Sequence, residues 1–137
     1  ESEAPILLEI NDDLKQTQVI HYDNQGFHEH NYSGKISEGF IETFESGSKG
    51  SYSGANVTLS VGDWFLDDAL IGSLSNDRKF GSRSLRIQNN GSAIMEFDID
   101  NGAQSIVVRH AVYGDDGSST WSLISSTDQG ETWSFVG

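Results

Sequence analysis

From Phe40 onward the chain alternates apolar and polar residues with a period of two, and this pattern limits what it can fold into. In the run at 93–99, apolar residues occupy every second position, and similar runs occur at 84–88, 106–113 and 121–123. Every second side chain of a strand points to the same face, so such runs predict strands with one buried face. No stretch carries a long helical period.

Clusters of Asn, Asp and Gly separate these runs, at 89–91, 100–102, 114–117 and 128–130. These residue types favour tight turns, because glycine adopts positive φ and short polar side chains hydrogen-bond to the nearby backbone. Short strands at this spacing predict an all-β fold, an antiparallel β-sandwich of jelly-roll type. Only residues 66–72 have a pattern that also fits a single helical turn.

Residues 1–39 differ from the rest of the chain. Apolar runs at 6–10 and 17–22 predict one or two short strands in otherwise polar sequence. We therefore divide the chain into an N-terminal extension or linker, residues 1–39, and a β-sandwich module, residues 40–137. The last predicted hairpin would leave a strand edge open, which we expect N-terminal strands, a partner segment or further chain to cover.

Charge narrows the range of partners. The chain has 21 acidic against 8 basic side chains, a formal net charge of −13, and no cysteine. Phosphate backbones and anionic lipids repel such a chain, so nucleic-acid binding is not expected. No apolar run approaches the ~20 residues that a membrane-spanning helix needs, so membrane insertion is not expected either. The lack of thiols excludes thiol catalysis and thiolate metal sites.

The most specific local motif lies at 126–133, which matches the pattern Ser-x-Asp-x-Gly-x-Thr-Trp at every defined position. Asp128 can accept hydrogen bonds from the following backbone N–H groups, and Gly130 can adopt positive φ. Trp133 can pack over the turn. The motif resembles the Asp box, which implies a hairpin in a secreted protein, often one that binds or acts on glycans. We interpret these three residues as structural.

A wider resemblance covers about residues 40–137. Its pieces are Glu42-Thr43-Phe44, Gly62-Asp63-Trp64, residues 67–72, residues 77–81, residues 84–87, Arg109-His110-Ala111-Val112-Tyr113-Gly114 and Ser119-Thr120-Trp121. This order looks like a β-sandwich accessory module of secreted Bacteroidota-type multidomain nucleases and other hydrolases. Its outline resembles the galactose-binding-like jelly rolls of carbohydrate-binding modules. The resemblance implies a secreted or cell-surface location, and because the family pattern runs past Gly137, we expect a longer natural chain.

Four acidic side chains are the candidate metal ligands: Glu42, Asp67, Asp68 and Asp77. Calcium takes roughly six to eight oxygen ligands, and many jelly-roll modules hold a structural calcium with carboxylates in loops and at strand ends. The alternative is that these acids solvate loops or pair with Arg78, Lys79 and Arg86. A structural calcium ion is the one cofactor that the sequence suggests.

A glycan-binding face needs aromatic rings that stack on sugars and polar groups that bond their hydroxyls. Six side chains could supply it: Trp64, Arg78, Arg109, His110, Tyr113 and Trp121. A small sandwich also needs large residues inside, so each ring is more often core than platform. Tyr113 is the exception, because its register places it on the face opposite Val108 and Val112.

The sequence has no Gly-x-Ser-x-Gly, no Gly-rich phosphate loop and no His-Glu-x-x-His, so it does not read as an enzyme. Our hypothesis is a non-catalytic extracellular module that binds carbohydrate and tethers an enzyme or surface protein to polysaccharide. Two alternatives stay open. One is a structural or protein-interaction domain that docks another domain or chain at its open C-terminal edge. The other is a helper domain of a secreted nuclease.

Overall fold

The computed structural model describes residues 20–23, 35–36, 39–99 and 102–137. All the regular secondary structure in this part of the chain is β-strand. It contains no helix long and apolar enough to cross a membrane. The strands are β1 (Ile20–Asp23), β2 (Lys35–Ile36), β3 (Ala55–Leu59), β4 (Gly62–Gly72), β5 (Ser84–Met95), β6 (Asp98–Ile99), β7 (Leu123–Ser126) and β8 (Ser134–Phe135). The all-β prediction is confirmed. The prediction of a possible helical turn at 66–72 is wrong, because these residues lie in β4.

The strands form a six-stranded sheet in the order β3-β4-β5-β1-β7-β8 and a two-stranded sheet of β2 and β6. The pairs β3–β4, β4–β5 and β7–β8 are antiparallel, as predicted. In contrast, β1 is parallel to both β5 and β7, and β2 is parallel to β6. Parallel neighbours need long connections, and the many residues between these strands provide them.

The N-terminal segment contributes to the main sheet. The strand expected over 17–22 corresponds to β1, which lies between β5 and β7, whereas the strand expected over 6–10 lies outside the described residues. Backbone groups of β1 are therefore paired on both sides. Part of the region interpreted as an extension is thus an interior strand of the sheet that the 40–137 module builds.

One apolar cluster forms the core, and its largest fully buried side chains come mainly from β4, β5 and the segments beside them. They are Trp64, Phe44, Phe97, Leu66, Leu85, Met95 and Ile99. Trp64 holds edge-to-face contacts with two rings, Phe44 at 5.5 Å and Phe97 at 6.2 Å between centroids. Such pairs add ~0.5–1.5 kcal/mol each beyond the area they bury.

Burial at 93–99 follows the predicted alternation on one face and departs from it on the other. Ala93, Met95, Phe97 and Ile99 are buried as expected. However, Glu96 and Asp98, expected on an open face, are also buried, with relative exposures of 0% and 4%. Both faces of this stretch are therefore covered by protein, which period-two alternation alone does not reveal.

The strand expected over 106–113 does not form. Residues 103–122 contain no strand, although Ile106 and Val108 still pack against the core. The turn predicted at 114–117 is present, with the Asp116 N–H bonded to the Tyr113 carbonyl at 3.0 Å. The alternation ends after Val108, because His110 is exposed and Ala111 is buried. A strand also needs a neighbouring strand to pair with. Here the segment packs its apolar side without joining a ladder.

The turn predicted at 89–91 is instead a bulge inside β5. Asp67 pairs with Ser92 and Ala69 pairs with Ile87, so residues 88–91 of β5 lie opposite the single residue Asp68 of β4. Gly91 is required there, because a Cβ would lie 2.6 Å from the carbonyl oxygens of Asp67 and Asp68. Bulges bend a strand and re-aim its side chains. The Asn-Asn-Gly signal therefore marks a change of direction within a strand and not its end.

Candidate functional site

A pocket of about 440 Å³ opens beside the bulge of β5. Its lining is Tyr52, Arg86, Ile87, Gln88, Asn89, Val112, Tyr113, Asp116, Gly117, Ser119 and Thr120. Three parts of the chain supply these residues: the segment before β3, the middle of β5, and the irregular segment 112–120. The volume falls within the usual range for small-molecule sites, ~300–1,000 Å³.

Arg86 lies against two aromatic rings of this pocket. Its guanidinium carbon is 4.8 Å from the centroid of Tyr113 and 5.8 Å from that of Tyr52. Only 15% of the Arg86 side chain is exposed. A cation over a ring face is attracted to it by ~0.5–2 kcal/mol, more where water is excluded. Arg86 thus connects the two tyrosines across the pocket.

Asp77 forms an ion pair with Arg86. The Asp77 side chain is fully buried, and its Oδ1 lies 3.1 Å from Nε of Arg86. Its Oδ2 accepts a hydrogen bond from the Leu74 N–H at 2.7 Å. A Cβ on Gly72, the last residue of β4, would lie 2.3 Å from Asp77 Oδ1. The carboxylate therefore occupies space that only glycine leaves open.

The loop between β4 and β5 also supports the turn that carries Tyr113. Nη2 of Arg78 donates to the Gly114 carbonyl at 2.7 Å. The Gly114 N–H donates to the Asn76 carbonyl at 3.1 Å. Arg78 lies 3.8 Å from Asp115 as well, but that carboxylate is fully exposed. Arg78, predicted as a ligand-binding residue, therefore connects the loop to the turn and lies outside the pocket lining.

The other end of the same loop is anchored by Glu45. Its carboxylate accepts hydrogen bonds from the backbone N–H of Ser82 at 2.9 Å and of Arg83 at 3.0 Å, and from the Ser82 hydroxyl. Partial burial raises the pKa of Glu45, but these hydrogen bonds and the Arg83 charge together lower the pKa below its ordinary value. The charged form of Glu45 therefore fixes the start of β5, on which the pocket is built.

Polar groups surround the rings. Nε2 of Gln88 donates to Oδ1 of Asp68 at 3.2 Å, which ties the bulge to β4. Asn89 adopts a φ of 52°, a left-handed conformation that asparagine tolerates better than most residues. Asp116, Ser119 and Thr120 also line the pocket and are exposed. Amide, hydroxyl and carboxylate groups beside aromatic rings suit a ligand with many hydroxyls.

Of the six side chains predicted to bind a ligand, only Tyr113 lines the pocket. The prediction for Trp64 is wrong, because its ring is fully buried between Phe44 and Phe97. The other predicted rings are His110 and Trp121, 5.2 Å apart between centroids, and Trp121 is partly buried against the core. These two residues and the half-buried Arg109 lie outside the pocket lining.

Sequence reasoning missed most of the pocket. The residues not singled out as ligand contacts are Tyr52, Arg86, Ile87, Gln88, Asn89, Val112, Asp116, Gly117, Ser119 and Thr120. The Asn-Asn-Gly signal could have indicated Gln88 and Asn89 had it been interpreted as a bulge. Tyr52 carries no local signal, since it precedes β3 in an irregular segment.

The four predicted metal ligands have separate roles. Glu42 is fully buried, and its two oxygens accept hydrogen bonds from the Phe44 N–H at 2.7 Å and the Ser60 hydroxyl at 2.8 Å. Asp77 faces Arg86, and Asp67 and Asp68 lie at the bulge. Within residues 39–99 and 102–137, no three His, Cys, Asp or Glu side chains form a group that could hold a metal ion. The structure therefore does not gather these carboxylates into one site.

The turn at 126–133 has the hydrogen bonds that its sequence predicts. Oδ1 of Asp128 accepts from the Thr132 N–H at 2.8 Å, and Oδ2 accepts from the Thr132 hydroxyl. The Ser126 hydroxyl donates to Oδ1 of Asp128 at 2.7 Å and accepts from the Gly130 N–H at 2.8 Å. Gly130 has a φ of 82°, as predicted. Trp133 is half-buried. The bonds from Thr132, and then that from Ser126, lower the pKa of Asp128 to about 2.

The chain matches no family model, and no curated protein or solved structure is significantly similar to it.

The depressed pKa of Asp128 predicts an acid-dependent contribution to stability. Because the folded-state pKa of about 2 lies below the ordinary 3.8, the charged carboxylate stabilises the turn fully above about pH 4. That contribution is lost as the pH falls through the folded-state pKa. Asp128→Ala should therefore lower the melting temperature at neutral pH, and the difference from wild type should shrink towards pH 2. Glu131→Ala, an exposed change in the same turn, is the control; a pH-independent Asp128→Ala effect would contradict this account.

The contact between Gly72 and Asp77 predicts a second effect. Gly72→Ala should displace the buried Asp77 carboxylate and its ion pair with Arg86, at a cost of about 1–3 kcal/mol in the free energy of unfolding. Gly50→Ala is the matched control, since no heavy atom lies within 4 Å of its added Cβ. Urea denaturation measures both variants. Equal stability of the two would show that Asp77 can move at little cost.

Proposed function

We propose that this chain is a non-catalytic carbohydrate-binding module that takes its sugar in the pocket that Tyr52 and Tyr113 line. The observation that supports this is the composition of the pocket: two aromatic rings, one arginine, and amide, hydroxyl and carboxylate groups around one opening. A sugar ring has an apolar C–H face and a polar hydroxyl rim. The tyrosine rings can meet that face with the surface that Arg86 leaves uncovered, and Gln88, Asn89 and the polar residues of 116–120 match the rim.

The jelly-roll-like β-sandwich belongs to this proposal too. Ile99 of β6, in the small sheet, shares one apolar cluster with Trp64 of β4 and Met95 of β5, in the large sheet. Two sheets that share a core are the basic arrangement of a sandwich. A secreted or cell-surface module that tethers an enzyme to polysaccharide would need such a compact support. A structural calcium ion stays a prediction, and sugar binding in the pocket does not depend on it.

Binding is tested by screening the wild-type chain on an array of neutral and charged polysaccharides, followed by calorimetry on the best binder. Tyr113→Ala and Tyr52→Ala should each weaken binding about tenfold or more, which corresponds to ~1.4 kcal/mol. Phe80→Ala is the control, because this ring is 81% exposed and lies outside the pocket. Absence of binding across the whole array would refute the proposal. Equal losses of affinity in all three variants would show that the sugar does not bind in this pocket.

The edge of the large sheet favours a second candidate function, strand-to-strand docking of a second copy of this chain. In the described part of the protein, β8 is an edge strand, and its Phe135 and the following Val136 are 74% and 54% exposed. An open edge offers backbone groups for β-augmentation. Sedimentation velocity should then show self-association that Phe135→Lys abolishes and Phe80→Lys does not. A wild-type chain that stays monomeric at all concentrations would contradict this candidate.

A further inference from the structure

The charged groups of the pocket restrict the class of sugar it can take. Among the residues that the structure describes, two charged side chains line it, Arg86 and Asp116. The Arg86 cation is already compensated, because the buried Asp77 carboxylate lies 3.1 Å from its Nε. The Tyr52 and Tyr113 rings also lie against the guanidinium. An incoming anion would therefore compete with an ion pair that is already made.

The remaining charge has the wrong sign for an anionic ligand. With one positive and two negative groups, the formal charge of Arg86, Asp77 and Asp116 together is −1. A uronate or sulfate would have to lose its water beside the Asp116 carboxylate without gaining an uncompensated cation in return. A neutral sugar meets no such cost, because hydroxyls can donate to Asp116 and accept from the Gln88 and Asn89 amides.

We infer that the pocket selects neutral glycans and rejects those that carry uronate or sulfate groups. This inference rests on the proposed function, and it adds the chemical class of the ligand. Asp77 is a positioning residue in this scheme: it neutralises and holds Arg86. Asp116 supplies the repulsion towards anions.

Matched pairs of glycans separate this inference from the proposed function. Oligogalacturonates are compared with their fully methyl-esterified forms, and sulfated galactan oligosaccharides with the unsulfated galactan. The neutral member of each bound pair should bind at least about tenfold more tightly than the acidic member. Its affinity should stay constant between ~0.05 and ~0.5 M NaCl, because no charge on the ligand is screened.

The outcomes lead to different conclusions. If the acidic members bind as tightly as the neutral ones or more tightly, the inference is overturned while carbohydrate binding stands. If no member of these pairs and no other glycan on the array binds, the proposed function fails and the inference falls with it.

An exposed pair of adjacent carboxylates supplies the test by substitution. Asp116 lines the pocket, whereas its neighbour Asp115 is exposed and does not. Asp116→Asn should reduce the preference for the neutral member about fivefold, the effect of one unit charge ~4 Å away in water. Asp115→Asn should leave the preference unchanged, although it removes the same net charge. Equal effects of the two variants would place the selection in the overall charge of the protein and overturn the role of the pocket.

Discussion

The buried ion pair between Asp77 and Arg86 is the interaction on which the pocket depends. It joins the β4–β5 loop to the start of β5 and holds the guanidinium against the rings of Tyr52 and Tyr113. A buried charge without its partner costs several kcal/mol, so neither side chain can leave alone. The carboxylate also bonds the Leu74 N–H and fills the space that Gly72 leaves open. The Asp77 carboxylate therefore connects the large sheet, the β4–β5 loop and the pocket lining.

The bulge in β5 follows from a conflict within β4. Trp64 and Leu66 face the core, so strict alternation would place Asp68 there next, with a buried carboxylate. Instead Asp68 adopts a φ of 45° and Ala69 takes the inward position. On β5, residues 88–91 absorb the change of register. The two strands thus keep one apolar face on both sides of the bulge, and the displaced residues Gln88 and Asn89 line the pocket.

The sequence predicted what local physics decides. Alternation identified the buried run at 93–99, and Asp128 and Gly130 predicted the bonds and φ of their own turn, because those contacts lie within a few residues. The pocket could not be predicted in this way. Tyr52, Arg86 and Tyr113 are far apart in the chain, and they meet only through the β4–β5 register and the docking of a segment that forms no strand. The sequence favoured burial of Trp64 without deciding it, since an aromatic residue in an amphipathic strand is more often core than sugar platform but fits both.

Two electrostatic effects act on an approaching ligand: the net charge of the whole chain and the charged groups inside the pocket. Only the groups inside the pocket can distinguish one sugar from another. The net charge of −13 is spread over the whole chain. At physiological ionic strength the field of exposed charges falls off over ~8 Å. It can repel a long polyanion on approach, but it hardly distinguishes one sugar ring from another. Within the pocket, Arg86 is shielded from water and already paired with Asp77. Discrimination between a hydroxyl and a carboxylate must therefore arise from the few polar groups in contact with the ligand, among which Asp116 carries the uncompensated charge.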